Sequence, residues 1–406
     1  MALTRTFSST WGGAKGHNGF EYKDVQTYSD FYYRDFLQHT RQVRGDGKAL
    51  IWSRPVDCLR DKASMVCWGY SPKDVMVAGW VGDDEGSWSG LRGVARKVVY
   101  SAWDGYANFG ADIGGYLQED DPGDTKEVFL RWAQFCSWLP NMENGGHGKG
   151  KHAPWEFDEE TTTVYRELVK THSSLSFYLQ SVGSAALEQG VSTITPSESK
   201  PKGVISRREY PQPTDFSYTL GGDIFVQPIL RSGEKLCEVR LPAIGEWLEW
   251  GGDGKDVFAA GSRTIKQLRS LADYPVFVRR NALIPVASSD DVVFFTWFAP
   301  KVGVEAHFTL RETKSDGPGV VAAITWADAG AGAKQATVTL SPRPSSAAAV
   351  PLRFGFRIAL ASASSSSFSL VSASAGCDAD ATGKQEDGAV LCQDIEQGAT
   401  LIYQFL

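Results

Sequence analysis

WVGDDEGSW (80–88) and NFGADIGGY (108–116) are the stretches whose reading decides the fold. The first closes a short apolar run, VMVAGW (75–80), and the second closes another, YANFGA (106–111). Asp83 and Asp84 follow the first run and Asp112 follows the second. Residues 88–103, between them, carry helical periodicity. Acids at the C-terminal ends of two successive strands, with a helix between, are the βαβ layout of a parallel barrel, whose functional face lies at those ends. Trp80, Trp88 and Tyr116 flank these acids. Aromatic faces cover the C–H surfaces of sugars, and paired carboxylates do acid–base work at glycosidic bonds.

Working outward, residues 30–44 (DFYYRDFLQHTRQVR) read as an amphipathic helix and ALIWS (49–53) as a buried strand. Residues 125–138 read as a helix with Asp124 as its N-cap, and Asp158 caps a long helix over 159–187. A Gly/Lys/His loop spans 144–154. This alternation makes four βα units and not eight. Composition shifts near 195 at TPSESKPKG, which reads as a connection. Short strands separated by Gly-Gly and Asp-Gly turns follow, and a second β-rich segment with Ser- and Ala-rich loops begins near 290. The expected fold class is α/β plus all-β: a partial barrel over 1–195, a proximal β-sandwich over 196–290 and a distal β-sandwich over 291–406.

The chain has 406 residues, more than one ordinary core holds, so several domains are expected. Its net charge of −7 argues against nucleic acid as a partner, which calls for a basic face. No run of 18 apolar residues occurs, so no membrane span is expected, and residues 1–20 have no signal-length apolar core. The compartment is left open. Thirteen tryptophans are a rich supply of aromatic surface. The six cysteines show no CxxC pair and no His at metal spacing, so no zinc site is expected. Cys58, Cys67, Cys136 and Cys237 read as buried thiols, and Cys377 and Cys392 flank a polar loop and could pair in an oxidising compartment.

These residues resemble glycoside hydrolase family 31, the retaining α-glycosidases. WVGDDEGSW is similar to that family's W-x-G-D-N-x-x-x-W segment, NFGADIGGY to its G-A-D-I-x-G-F, and RWAQFCSWLPNM (131–142) to its RW-x-Q-x-G-x-F-x-P-x-x-R helix. YTLGGDIFVQPIL (218–230), LPAIGEWLEW (241–250) and YPVFVRRNALIPV (274–286) resemble its first β-domain after the barrel. The resemblance covers about residues 25–287, in order. It implies the C-terminal half of a (β/α)8 TIM barrel followed by two β-domains, acting on O-glycosyl bonds of α-glycosides with a carbohydrate substrate and no cofactor. It implies Asp83 as general acid/base, protonated when it donates to the leaving oxygen and then basic toward water. Arg54 takes the place of a sugar-contacting arginine, Trp80 of the aromatic before the acid, and Asp112 and Tyr116 of residues lining the pocket. For Asp112 a structural ion pair is the competing role. Asp84 stands where the family has Asn; facing the site it would perturb Asp83, and pointing outward it would do little.

Two departures shape the expectation. The family has Arg-x-His after the 131–142 helix, where this chain has Glu143-Asn144-Gly145. His147 or His152 could reach in from the loop instead, with Trp155 as a wall. The family's nucleophile, the first acid of a W-x-D-x-x-E type motif, has no counterpart between Met1 and Asp30. The chain therefore reads as the C-terminal portion of a larger enzyme whose missing barrel half is a partner. The alternatives are a truncated gene product and a catalytically inactive carbohydrate-binding or scaffold protein.

Overall fold

The structure is a computed structural model that describes residues 14–15, 21–22, 25–46, 49–60, 65–69, 71–118, 126–148, 150–202, 212–252, 256–289, 292–311, 320–330, 333–341, 353–359, 368–373, 377–378, 391–392 and 399–405. Two compact units divide the chain. The first takes residues 1–162, 186–216 and 230–232; the second takes the remainder.

The first unit is built on a parallel sheet of three strands, β1 (Ile51–Ser53), β2 (Met76–Trp80) and β3 (Asn108–Gly110), in that order. Helix α1 (Val25–Arg44) precedes β1, α2 (Trp88–Trp103) joins β2 to β3, and α3 (Lys126–Cys136) follows β3. Apolar residues drive each piece onto the sheet. Leu37 of α1 is buried with Ile51 and Val75. The buried face of α2 carries Leu91, Val94, Ala95, Val98 and Val99, and α3 is buried along Val128, Phe129, Leu130 and Trp132. Ser87 caps α2 by accepting a hydrogen bond from the Gly90 amide at 3.1 Å, which satisfies one of the orphan donors of the first turn. Gly79 is required in β2, because a Cβ there would lie 1.7 Å from the Ser53 carbonyl oxygen across the sheet.

The expected fourth strand is reduced to a bridge. Asn141 donates to the carbonyls of Gly79 and Asn108 at 3.0 and 3.2 Å, and Asp112 then pairs with Glu143 in a single parallel bridge. The chain leaves α3 already tied down at Asn141, so its run beside β3 is too short to form a full strand. The expected strand at 49–53 is Ile51–Ser53, with Trp52 exposed rather than buried on both faces. Asp158 does cap a helix: its carboxylate accepts from the Thr161 amide at 2.8 Å. The single helix expected over 159–187 is two, α4 (Glu159–Ser174) and α5 (Ser176–Gln189), broken at Leu175. The Asp124 cap lies outside the described residues.

The second unit is antiparallel β for most of its length. Strands Tyr218–Leu220, Ile224–Val226, Val276–Arg279, Trp247–Glu249 and Val257–Phe258 lie side by side in that order. A ribbon of Leu236–Arg240 with Arg263–Gln267 accompanies them. Phe225, Cys237, Val239, Trp247 and Phe277 form the shared core. Beyond residue 282 two five-stranded sheets follow, one built on Leu283–Ser289 and Val292–Phe298, the other on Ala306–Leu310, Val320–Gly330 and Ala333–Leu340. Cys136 and Cys237 are buried free thiols. Cys58 faces Cys67, and Cys377 faces Cys392, as backbone partners in antiparallel pairs; their side chains lie outside the described part.

Candidate active site

Three segments leave the C-terminal ends of β2, β3 and the short run at 141–143, and they are stitched side by side. The Leu117 amide donates to the Asp84 carbonyl at 2.9 Å, the Gly86 amide to the Leu117 carbonyl at 3.0 Å, and the His147 amide to the Tyr116 carbonyl at 2.6 Å. The Ile113 amide donates to the Glu143 carbonyl at 3.1 Å. Residues 83–87, 112–118 and 143–148 therefore form one face, and most of the residues picked from sequence lie on it.

Asp83 sits in its centre. Gly82, with φ of 102°, makes the left-handed turn that ends β2 and presents the next side chain; another residue there would be strained. Arg54, just past β1, places Nη2 2.7 Å from Asp83 Oδ1. The same guanidinium stands 5.6 Å from the centre of the Trp80 ring, within cation–π reach. Trp80 Nε1 donates to Asp83 Oδ1 at 3.5 Å. Neither Arg54 nor Asp83 is fully buried: their side chains keep 22% and 27% of their exposure, so a ligand can reach them.

Asp84 turns away, onto helix α2. Its Oδ2 accepts from Lys97 Nζ at 2.8 Å, and both side chains are nearly buried. Burial raises the Asp84 carboxyl above the ordinary carboxylate range, opposed by the Lys97 ammonium. Of the two roles left open for Asp84, this is the one that leaves Asp83 facing the site alone.

Asp112 makes no ion pair among the described residues, so the structural ion-pair role is not what the geometry provides. It is 8% exposed and its Oδ2 has no hydrogen-bond partner. Burial, then the charge of Asp83, pushes it up to about 7. Glu143 stands across the bridge, with Oε1 buried and unpartnered; burial and the charge of Asp112 push it up to about 8. Glu143 is the residue that sequence reasoning left off the list of site residues. The available signal was an acid standing where the resemblance has an arginine.

Tyr116 stacks on His147, with ring centres 6.4 Å apart and planes 18° from parallel. His147 is exposed, whereas both ring nitrogens of His152 are buried without a partner under Gly146. The structure thus separates the two histidines. Trp155 is 74% exposed, in a short turn at Pro154–Glu156, and stands out from the surface rather than walling a cavity. A groove of about 430 Å³ beside α1, lined by Arg34, Leu37, Arg41 and Asp74, contains none of these residues. Among the described residues no cluster of His, Cys, Asp and Glu could hold a metal ion, and no helix is long and apolar enough to cross a membrane.

Comparison with known proteins places this arrangement. Residues 68–182 match the family described as "Glycosyl hydrolases family 31 TIM-barrel domain". A probable glucan 1,3-alpha-glucosidase of Arabidopsis thaliana is 26% identical over 51% of this chain and 21% of its own length. A sulfoquinovosidase of Escherichia coli is 26% identical over 50% of this chain and 29% of its own. The chain thus spans less than a third of the length of these curated relatives. Among solved structures, a GH31 dextranase of Flavobacterium johnsoniae complexed with glucose has a similar fold, with a TM-score of 0.70 at 17% identity. The match covers 96% of this chain and 50% of that one.

Proposed function

We propose that this chain, whose residues 68–182 match the glycoside hydrolase family 31 TIM-barrel domain, is a member of that family and carries the acid/base half of an α-glycosidase active site. The observation that carries the proposal is the Arg54–Asp83–Trp80 cluster at the C-terminal ends of parallel strands. In this reading a glycoside enters against Trp80 and Tyr116, and its hydroxyls draw the Arg54 fork off the Asp83 carboxylate. Freed of that ion pair, Asp83 takes a proton, gives it to the leaving oxygen, and afterwards takes one from water. The second carboxylate of a retaining pair stands about 5–5.5 Å from the acid/base; we assign it to a W-x-D-x-x-E type segment other than residues 1–30, in the missing half of the barrel. The arrangement proposed for the whole chain is a partial barrel over 1–195 and β-sandwich domains over 196–290 and 291–406.

A second reading is favoured by one observation. An ion pair is made by a carboxylate, and a proton donor must be a carboxylic acid; a protein that keeps Arg54 locked on Asp83 binds sugar and does no chemistry. Turnover separates the two. The full chain, supplied with formate as an external carboxylate, is assayed on an aryl α-glucoside. Release of the phenol that depends on Asp83 supports the enzyme; binding of methyl α-glucoside without any Asp83-dependent release supports the binding protein.

A further inference from the structure

Resting on the reading of this face as an α-glycoside pocket, we propose that Asp112 and Glu143 form a paired-carboxyl subsite that selects a glycoside carrying a protonated amine. Glu143 is its specificity-determining residue.

The two acids come from adjacent segments whose backbones pair at these residues in the parallel bridge, and the charge of Asp112 is felt at Glu143. Each keeps an oxygen buried with no partner, Oδ2 of Asp112 and Oε1 of Glu143. Asp112 is 8% exposed, so water does not make up the deficit freely. Gly145 keeps the loop close: a Cβ there would lie 3.3 Å from Asp112 Oδ1. The cations nearby are engaged elsewhere, Arg54 with Asp83 at 2.7 Å and Lys97 with Asp84 at 2.8 Å. Where the family resemblance has an arginine after the 131–142 helix, this chain has a second acid.

Burial raises both carboxyls, the charge of Asp83 adds to the rise at Asp112 and the charge of Asp112 to the rise at Glu143, so full negative charge on both is costly near neutral pH and is favoured when a cation arrives. The missing arginine has left a place for a positive charge that the chain does not fill. A neutral sugar hydroxyl can donate to one carboxylate but brings no charge. An ammonium brings the charge and three donors, and its hydrogen bonds to carboxylates are of the stronger, charge-assisted kind. Two carboxyls are too few ligands for a dedicated metal site, which leaves an organic cation presented by the sugar itself.

The test is calorimetric titration of the full chain at pH 7. The probes are methyl α-glucoside, its 2-, 3-, 4- and 6-amino-deoxy analogues, and their N-acetyl derivatives, which keep the ring and lose the charge. At least one amine is expected to bind about tenfold tighter than the parent glucoside, and its N-acetyl form no tighter than the parent. In Glu143→Gln the preference is expected to fall below about twofold. In Glu143→Arg, which restores the family's charge, amines are expected to bind more weakly than the parent. The Arg variant and the wild-type preference decide the matter even if the Gln variant fails to fold. Binding of methyl α-glucoside with no preference for any amine overturns this inference and leaves the pocket reading standing, as does a preference that survives Glu143→Gln. Failure of every glycoside to bind overturns both.

Discussion

Arg54 and Trp80 converge on one oxygen of Asp83: the guanidinium approaches it to 2.7 Å and the indole N–H to 3.5 Å. The arginine comes from the end of one strand and the tryptophan from the next, so the sheet itself sets the triad. Removing the guanidinium leaves Asp83 without its counter-charge and the sugar without a fork of donors. Arg54→Ala is expected to lower kcat/KM on an aryl α-glucoside, or affinity for methyl α-glucoside, by well over threefold. A change under about threefold, roughly 0.7 kcal/mol, would mean that Arg54 serves only the ion pair.

Asp83 as proton donor makes a prediction that depends on the leaving group. A leaving group of low pKa departs with little protonation, so loss of the acid hurts it less. Asp83→Ala is expected to spare dinitrophenyl α-glucoside far more than a disaccharide, in the formate-supplemented chain. Equal loss on both substrates, or none on either, contradicts the acid role.

The site was legible where chemistry follows a strand. Helix 88–103 and the strand before Asp83 lie where periodicity put them, because an apolar run ending at Gly and acid leaves the chain few alternatives. What escaped was pairing across distance. Asp84 and Lys97 are thirteen residues apart and meet only because the loop folds back over α2, which no local spacing announces. Glu143 was visible as a departure from a motif, but its meaning depended on finding Asp112 across a bridge. The break at Leu175 lies in SSLS, with neither Gly nor Pro to mark it.

His147 and His152 were interchangeable in the sequence and are not so in the structure. The exposed ring of His147 stacks on Tyr116 and keeps its nitrogens available to a sugar. The His152 ring packs so closely under Gly146 that a Cβ there would lie 1.7 Å from Nδ1. His147→Ala is expected to weaken glycoside binding with little change in melting temperature, and His152→Ala to lower the melting temperature first. Titration and thermal melts of the two variants check this; the reverse pattern would reassign the pocket histidine.

The Asp84–Lys97 pair is a scaffold beneath Asp83. Taking away one partner strands a buried charge, which costs about 3–5 kcal/mol, while replacing both with groups of similar shape is often close to neutral. Lys97→Ala is therefore expected to destabilise the first unit strongly, and Asp84→Asn with Lys97→Met to recover most of the loss. Denaturant unfolding of the single and double variants measures it. A single variant as stable as the parent would show that water reaches Asp84 and solvates it.

The bridge partners Asp112 and Glu143 also leave a mark on stability against pH. Both are raised in the folded chain, to about 7 and about 8, from ordinary values near about 4 when unfolded. Between roughly pH 4 and pH 8 the folded chain thus holds more protons than the unfolded chain, and stability falls as pH rises through that window. The contribution is fully present below about pH 4 and is lost by about pH 8. Glu143→Gln removes one ionisation and the repulsion that accompanies it, while keeping the shape. It is expected to raise the melting temperature relative to the parent at pH 8, by about 2–4 °C if the relief is worth about 1 kcal/mol, and to leave it nearly unchanged at pH 5. An equal shift at both pH values would mean that packing, and not the charge of Glu143, governs this position.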